Sequence, residues 1–284
     1  MSVAGASGAA ILSVDSMQVY RRMDIGTAKP SLADQAAVQH FMIDVADPAD
    51  SYSVAEFRAE ARRSIASHTV PWLVVGGSGL HFRSVVDPMD FAPTDAELRT
   101  AIDSLSSAEL TAELTQADPG APEHVDMANR RRVVRAVEVM RLTGQTPSER
   151  ASSARALAVR QYESEIPVVV VGIDPGDRLT ERIERRFDLM LEAGLLEEVA
   201  SLSGSWGVTA SQAVGYRELA HVVSGEWTID TARRRAIDAS TALARRQRTY
   251  FRRDPRIHWL EWQDDSDQLA AGAASVFQEA GWNS

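Results

Sequence analysis

Short apolar runs bounded by turn-forming residues recur along the chain at 11–14, 41–45, 72–75, 168–173 and 257–260. Runs of this length without alternation predict strands buried on both faces. Between them the apolar spacing changes to that of a helix. Over 54–67 it brings Val54, Phe57, Ala61 and Ile65 near one face, and over 179–193 it does the same for Ile183, Phe187, Met190 and Leu191. Asp177 is placed to cap the second of these helices. Strands alternating with helices predict an α/β fold with a doubly wound parallel sheet, whose ligands lie beyond the carboxyl ends of the strands.

From Pro88 to about Ser153 the strand pattern stops. Helices are expected there over 95–104, 107–116 and 129–142, separated by turns at Asp118-Pro119-Gly120 and Thr143-Gly144-Gln145. The expected organisation is therefore a discontinuous α/β core, 1–88 and 154–284, carrying a helical insertion over 89–153. Further on, 229–252 reads as one long arginine-rich helix.

Composition narrows the chemistry. The 284 residues contain no cysteine, which excludes disulfides, thiolate catalysis and Cys-based zinc sites. Six scattered histidines include no i, i+4 pair of the metal-binding kind. No stretch approaches the ~18 uninterrupted apolar residues of a membrane span, and 1–10 lacks the basic start of a secretory signal. A cytoplasmic protein is expected. The net charge of −10 hides a segregation. Nine arginines fall between Arg233 and Arg256 against Asp238 and Asp254, and Arg130, Arg131, Arg132, Arg135 and Arg141 face Glu138 alone. Such basic faces on an acidic body suit a selective phosphate or RNA reader, or are solvated helix faces in an arginine-preferring chain. Lys29 is the only lysine.

Four segments carry candidate chemistry. In 13–20 (SVDSMQVY), Asp15 follows the first expected strand, where it either serves as a general base and amine acceptor or caps the next turn. Ser16 and Gln18 offer the donor–acceptor pairs that a base edge requires. The turn 26–30 (GTAKP) sets Lys29 either for phosphate contact or in solvent. Gly76-Gly77-Ser78-Gly79 follows another strand and either binds an anion through its amides or simply turns the chain. In 212–218 (QAVGYRE), Arg217 suits a pyrophosphate or RNA backbone, or pairs with a carboxylate such as Glu218, Glu226 or Asp238. The run 245–253 interleaves arginines with Tyr250 and Phe251, the latter expected in the core.

Together, DSMQVY (15–20), MDIGTAKP (23–30), VVGGSGLHFR (74–83), RRVVRAVEVMRLTGQTPS (131–148), AVGYRE (213–218) and ARRQRTYFRRD (244–254) resemble the tRNA dimethylallyltransferases, or tRNA isopentenyltransferases, in order and spacing. The resemblance runs from about Ile11 to Leu260. It implies a P-loop-type α/β fold and transfer of a dimethylallyl group from dimethylallyl diphosphate to N6 of the adenine 3′ of the anticodon. That base must leave its stack to be reached. The implied partners are a tRNA anticodon stem-loop and dimethylallyl diphosphate, with Mg2+ as cofactor, no membrane, and a monomeric enzyme. By the same resemblance, Asp15 receives or orients the amine, and Ser16, Met17 and Gln18 line the base site. Ser78 and Arg99 match tRNA-contacting positions. Arg131, Arg132, Val133, Val134 and Arg135, with Gln212, Ala213, Val214, Gly215, Tyr216 and Arg217, grip the RNA, and Arg217 also stabilises the leaving diphosphate.

One departure concerns the P-loop, G-x-x-x-x-G-K-[ST], with which the family begins. Gly5-Ala6-Ser7-Gly8 resembles its head, but Ala10, Ile11 and Leu12 stand where the second glycine, lysine and hydroxyl are required. The first strand–loop–helix unit is thus expected to be largely missing. Gly5, Ser7 and Gly8 remain as weak diphosphate contacts, and no metal ligand is assigned. A smaller departure lies at 124–129, which only partly matches the family's Ile-His-x-Asn-Asp stretch. Two alternatives follow: a catalytically impaired tRNA-binding relic, or an incomplete chain of the enzyme. A kinase or other ATPase is disfavoured, because the Walker lysine and its neighbouring hydroxyl are absent.

Overall fold

The computed structural model describes residues 1–282. Five strands form: β1 (Ala10–Ser13), β2 (His40–Phe41), β3 (Trp72–Val75), β4 (Val170–Ile173) and β5 (Ile257–Leu260). The helices in chain order are α1 (Ser2–Ser7), α2 (Leu32–Ala37), α3 (Val54–Ser67), α4 (Gly79–Val86), α5 (Ala96–Asp103), α6 (Ser107–Ala117) and α7 (Arg130–Thr143). They continue with α8 (Pro147–Ala151), α9 (Ala154–Arg160), α10 (Leu179–Glu192), α11 (Leu195–Leu202), α12 (Tyr216–Val223), α13 (Ile229–Phe251) and α14 (Ser266–Glu279). Two compact units result: Met1–Val85 with Val168–Ser284, and Val86–Pro167.

The first unit holds all five strands. They form two parallel sheets, β2-β1-β3 and β4-β5, rather than one continuous sheet. Every residue of β1 is buried, as expected for an unbroken apolar run. Instead of a strand over 41–45, β2 is two residues long. Left-handed backbone at Met42 and Asp44 (φ 64° and 57°) breaks the extended conformation there. An apolar cavity of about 260 Å³ touches both sheets through Val74, Val170 and Val171. Val75 and Ile173 at the strand ends are each 47% exposed.

Helix starts follow from local chemistry. Ser53 and Glu56 form a reciprocal capping box on α3, and Ser31 with Asp34 does the same on α2. The expected Asp177 cap is not used: a 3₁₀ turn, Gly176–Arg178, leads into α10, and Arg178 stands at its N-cap without capping it by a side-chain bond.

The second unit is entirely helical. Its core gathers Ile102, Leu110, Leu114, Ala121, Val133, Val134 and Val137 from α5, α6, the turn 121–123 and α7. Glu138 is buried beside this core and accepts hydrogen bonds from Arg99 (2.5 Å), Arg135 (2.6 Å) and the Asp95 amide (3.2 Å). Burial pushes its pKa up, but these hydrogen bonds together outweigh it and hold the carboxyl below its ordinary value.

Candidate active site

A cavity of about 530 Å³ opens beyond the carboxyl ends of β1 and β3, the end where open α/β sheets bind ligands. The turn after β1 contributes Asp15, Ser16 and Met17, and the loop before α2 contributes Gly26 and Thr27. The glycine turn after β3 adds Gly77, Ser78 and Gly79. Ile183, Arg186 and Met190 come from α10, Ala213 to Tyr216 from the approach to α12, and Arg246 and Gln247 from α13.

The two turns at the strand ends touch closely. A Cβ on Gly76 would lie 2.7 Å from the Val14 carbonyl oxygen, so only glycine lets the second turn pack against the first. Asp15 Oδ1 accepts the amides of Met17 (2.8 Å) and Gln18 (3.3 Å). This capping of the turn fixes the carboxyl group while it lines the cavity. Turn cap and cavity carboxylate are therefore compatible roles.

Arg186 is the cation that answers Asp15. It makes no hydrogen bond or ion pair among the described residues, and Asp15 is the charge that acts on it. Desolvation by the cavity walls lowers its pKa from the ordinary arginine value, and Asp15 opposes that shift. Water reaches the side chain through the cavity. An unpaired arginine beside a carboxylate in a cavity of this size is a place for an anion next to a hydrogen-bond acceptor. Arg246 adds a second exposed cation to the wall.

Glu198 of α11 holds the loop that closes one side. Its carboxylate accepts the amides of Asp24 (3.0 Å), Ile25 (2.9 Å) and Gly26 (3.2 Å), and the Tyr216 hydroxyl (2.5 Å). Tyr216 is wholly buried, and burial with the adjoining carboxylate raises its pKa.

Several predicted site residues occupy other places. Arg217 does not line the cavity; it is ion-paired to Glu218 (2.5 Å), whose other oxygen accepts the Gly215 amide. Gln18 bonds Ser13 and the carbonyls of Thr27 and Ala28, and Gln212 is exposed outside the cavity lining. Lys29 is enclosed by Asp24, Asp44 and the Tyr20 carbonyl, so its charge is already paired. Val133 and Val134 are core residues with buried side chains. Arg99 and Arg135 clamp Glu138, leaving Arg131 and Arg132 exposed without a partner. Arg186 and Glu198 escaped the motif reading, whereas Arg246 lies in the arginine run 245–253 that it singled out.

Gly5, Ser7 and Gly8 lie before β1, at the opposite end of that strand from Asp15. They form a helix ended by left-handed Gly8 (φ 65°), and the Ser7 hydroxyl donates to the Val3 carbonyl at 2.8 Å. Ile11 and Leu12 are buried in β1. No group of three or more His, Asp or Glu residues converges on a metal-sized site among the described residues. These residues therefore build no all-protein cation cage, which a Mg2+ held mainly by a substrate diphosphate and water does not require. No helix among the described residues is long and apolar enough to cross a membrane.

Similarity to known proteins runs along nearly the whole chain. The chain is 40% identical over 262 residues to the tRNA dimethylallyltransferase of Bifidobacterium longum, covering 89% of this chain and 77% of the relative. The crystal structure of a tRNA isopentenylpyrophosphate transferase from Staphylococcus epidermidis superposes with a TM-score of 0.69 at 30% identity, covering 98% of this chain and 93% of the other. The corresponding protein of Bacillus halodurans gives 0.69 at 31% identity, covering 99% and 90%. The family profile described as IPP transferase matches residues 18–254, and the chain belongs to that family.

Proposed function

We propose that this chain transfers a dimethylallyl group from dimethylallyl diphosphate to N6 of the adenine 3′ of the anticodon in tRNA. The observation that carries the reading is that Asp15 and the unpaired Arg186 line one cavity. The amine nitrogen forms a bond to C1 of the dimethylallyl group while the C1–O bond breaks and its electron pair leaves with diphosphate. Asp15 accepts the proton released from nitrogen. Arg186, with Arg246 nearby, stabilises the growing negative charge on the leaving group. Holding amine and allylic carbon together supplies the remaining acceleration by orientation.

Exposed Arg131 and Arg132 offer RNA phosphates a cationic face on the helical unit. The protein acts as a monomer in the cytoplasm, where its tRNA substrate is found.

The test is to incubate the purified protein with dimethylallyl diphosphate, Mg2+ and an unmodified anticodon stem-loop, then weigh the RNA. A gain of one dimethylallyl group, lost in Asp15→Asn, is expected. A folded protein that binds the stem-loop with no mass gain would replace this reading with RNA binding alone.

A further inference from the structure

We infer that His81 is a positioning residue for Ser78, turning its hydroxyl into a second acceptor for the amine that Asp15 receives. This deepens the proposed function and rests on it.

A primary aromatic amine carries two N–H bonds. Asp15 can take the hydrogen that leaves, but the other still needs an acceptor to distinguish an amine from a group without one. Ser78 lines the same cavity as Asp15. A free serine hydroxyl rotates and serves as donor or acceptor equally, which selects nothing. Here the Ser78 oxygen lies 2.8 Å from His81 Nδ1. If Nδ1 accepts the hydroxyl proton, the serine lone pairs are left to the cavity.

The surroundings of His81 favour its neutral form. Its ring meets the edge of Phe57 from α3 at 4.6 Å, a face without charge. Burial disfavours the imidazolium, and Asp15 is the charge that acts on the ring in the opposite sense. Burial prevails, so the imidazole titrates below its usual range. On its own helix, the Ser84 hydroxyl donates to the His81 carbonyl and leaves the ring nitrogens untouched. A neutral ring with its proton on Nε2 makes Nδ1 an acceptor, and Ser78 then presents oxygen to the amine. In acid, Nδ1 carries a proton, Ser78 accepts it, and the hydroxyl hydrogen points toward the ligand instead. A donor facing a donor opposes binding.

The direct test is the tautomer. Long-range ¹⁵N–¹H NMR of the wild-type protein at pH 7.5 is expected to show His81 neutral with its proton on Nε2. A proton on Nδ1 would overturn the inference without any variant being made. The second test compares two stem-loops, one with adenosine at the target position and one with purine riboside, which lacks the amine. Wild type is expected to prefer adenosine. Ser78→Ala and His81→Phe should each reduce that preference about tenfold, and the double variant no further, because both remove one acceptor. His81→Gln, whose side-chain oxygen can accept the same hydroxyl, should retain the preference within threefold. Equal binding of both RNAs by wild type would overturn this inference, whereas failure of the dimethylallyl transfer assay would overturn the proposed function on which it rests. A wild type that discriminates beside an equally discriminating His81→Phe would defeat only the role of His81.

Discussion

Glu198→Gln isolates the electrostatic part of the loop anchor while keeping its shape. In the native protein one carboxylate accepts four hydrogen bonds, two on each oxygen. The amide has one oxygen, so its NH2 replaces one acceptor in either orientation. One orientation opposes the Asp24 and Ile25 amides; the other opposes the Gly26 amide, while the Tyr216 hydroxyl turns to accept from the NH2. The second orientation therefore loses one hydrogen bond to a charged group, about 1.5–3 kcal/mol, and takes the charge from the other three. The destabilisation is about 2–4 kcal/mol. In a domain of 150–250 residues, each kcal/mol moves Tm by about 2–4 °C, so a fall of roughly 5–15 °C is expected by circular dichroism. Tyr216→Phe keeps the three backbone bonds and removes one hydrogen bond to the carboxylate, which should cost about 1.5–3 kcal/mol. A Glu198→Gln protein melting within about 2 °C of wild type would refute the assignment of Glu198 as the anchor.

Three further outcomes discriminate among the cations and buried carboxylates. Arg186→Ala should weaken binding of inorganic diphosphate about 10–100-fold by calorimetry, as expected for a lost charged hydrogen bond, whereas Arg217→Ala should change it less than about twofold because that side chain is engaged with Glu218; the reverse ranking would move the anion to Arg217. Replacing Arg131 and Arg132 with alanine should reduce the slope of log affinity for the stem-loop against log salt by about 1.5–2, and an unchanged slope would remove them from the RNA contact. Because the folded pKa of Glu138 lies below its ordinary 4.5, its ion pairs stabilise the helical unit fully above that value and are lost as pH falls through the folded pKa; Glu138→Gln should flatten this part of an acid titration followed by circular dichroism, and an equally steep wild-type and variant profile would contradict the assignment.

Periodicity carried the element types well where one face is buried. The limits expected for α3 and for the strands over 72–75 and 257–260 coincide with the structure. It could not give the division into two sheets, because strand pairing is a long-range property that a run of apolar residues does not encode. Nor could it see the end of β2, which depends on left-handed backbone at Met42 and Asp44, two residues that nothing local forces into that region.

The site was legible in its acceptor and not in its cation. Asp15 and Ser78 fall in turns at the carboxyl ends of β1 and β3, and that position alone directs them to the cavity. Arg217 drew attention as an arginine at a helix start, yet the adjoining Glu218 satisfies it, the local pairing already visible in the sequence as an alternative. The signal for Arg186 was different. Ile183, Arg186 and Met190 are spaced i, i+3 and i+7, so a guanidinium interrupts the apolar stripe of α10. A charge on a stripe that packs inward must be paired, as Glu138 is in α7 by two arginines, or must face a cavity that admits water or an anion. Distinguishing these cases requires the partner from a distant segment. For Glu138 that partner is Arg99, 39 residues away, whereas Arg186 meets the charge of Asp15 across a cavity. A charged break in a helical apolar stripe therefore marks a position where structure must decide between a buried ion pair and an open cavity, and in α10 Arg186 faces the cavity.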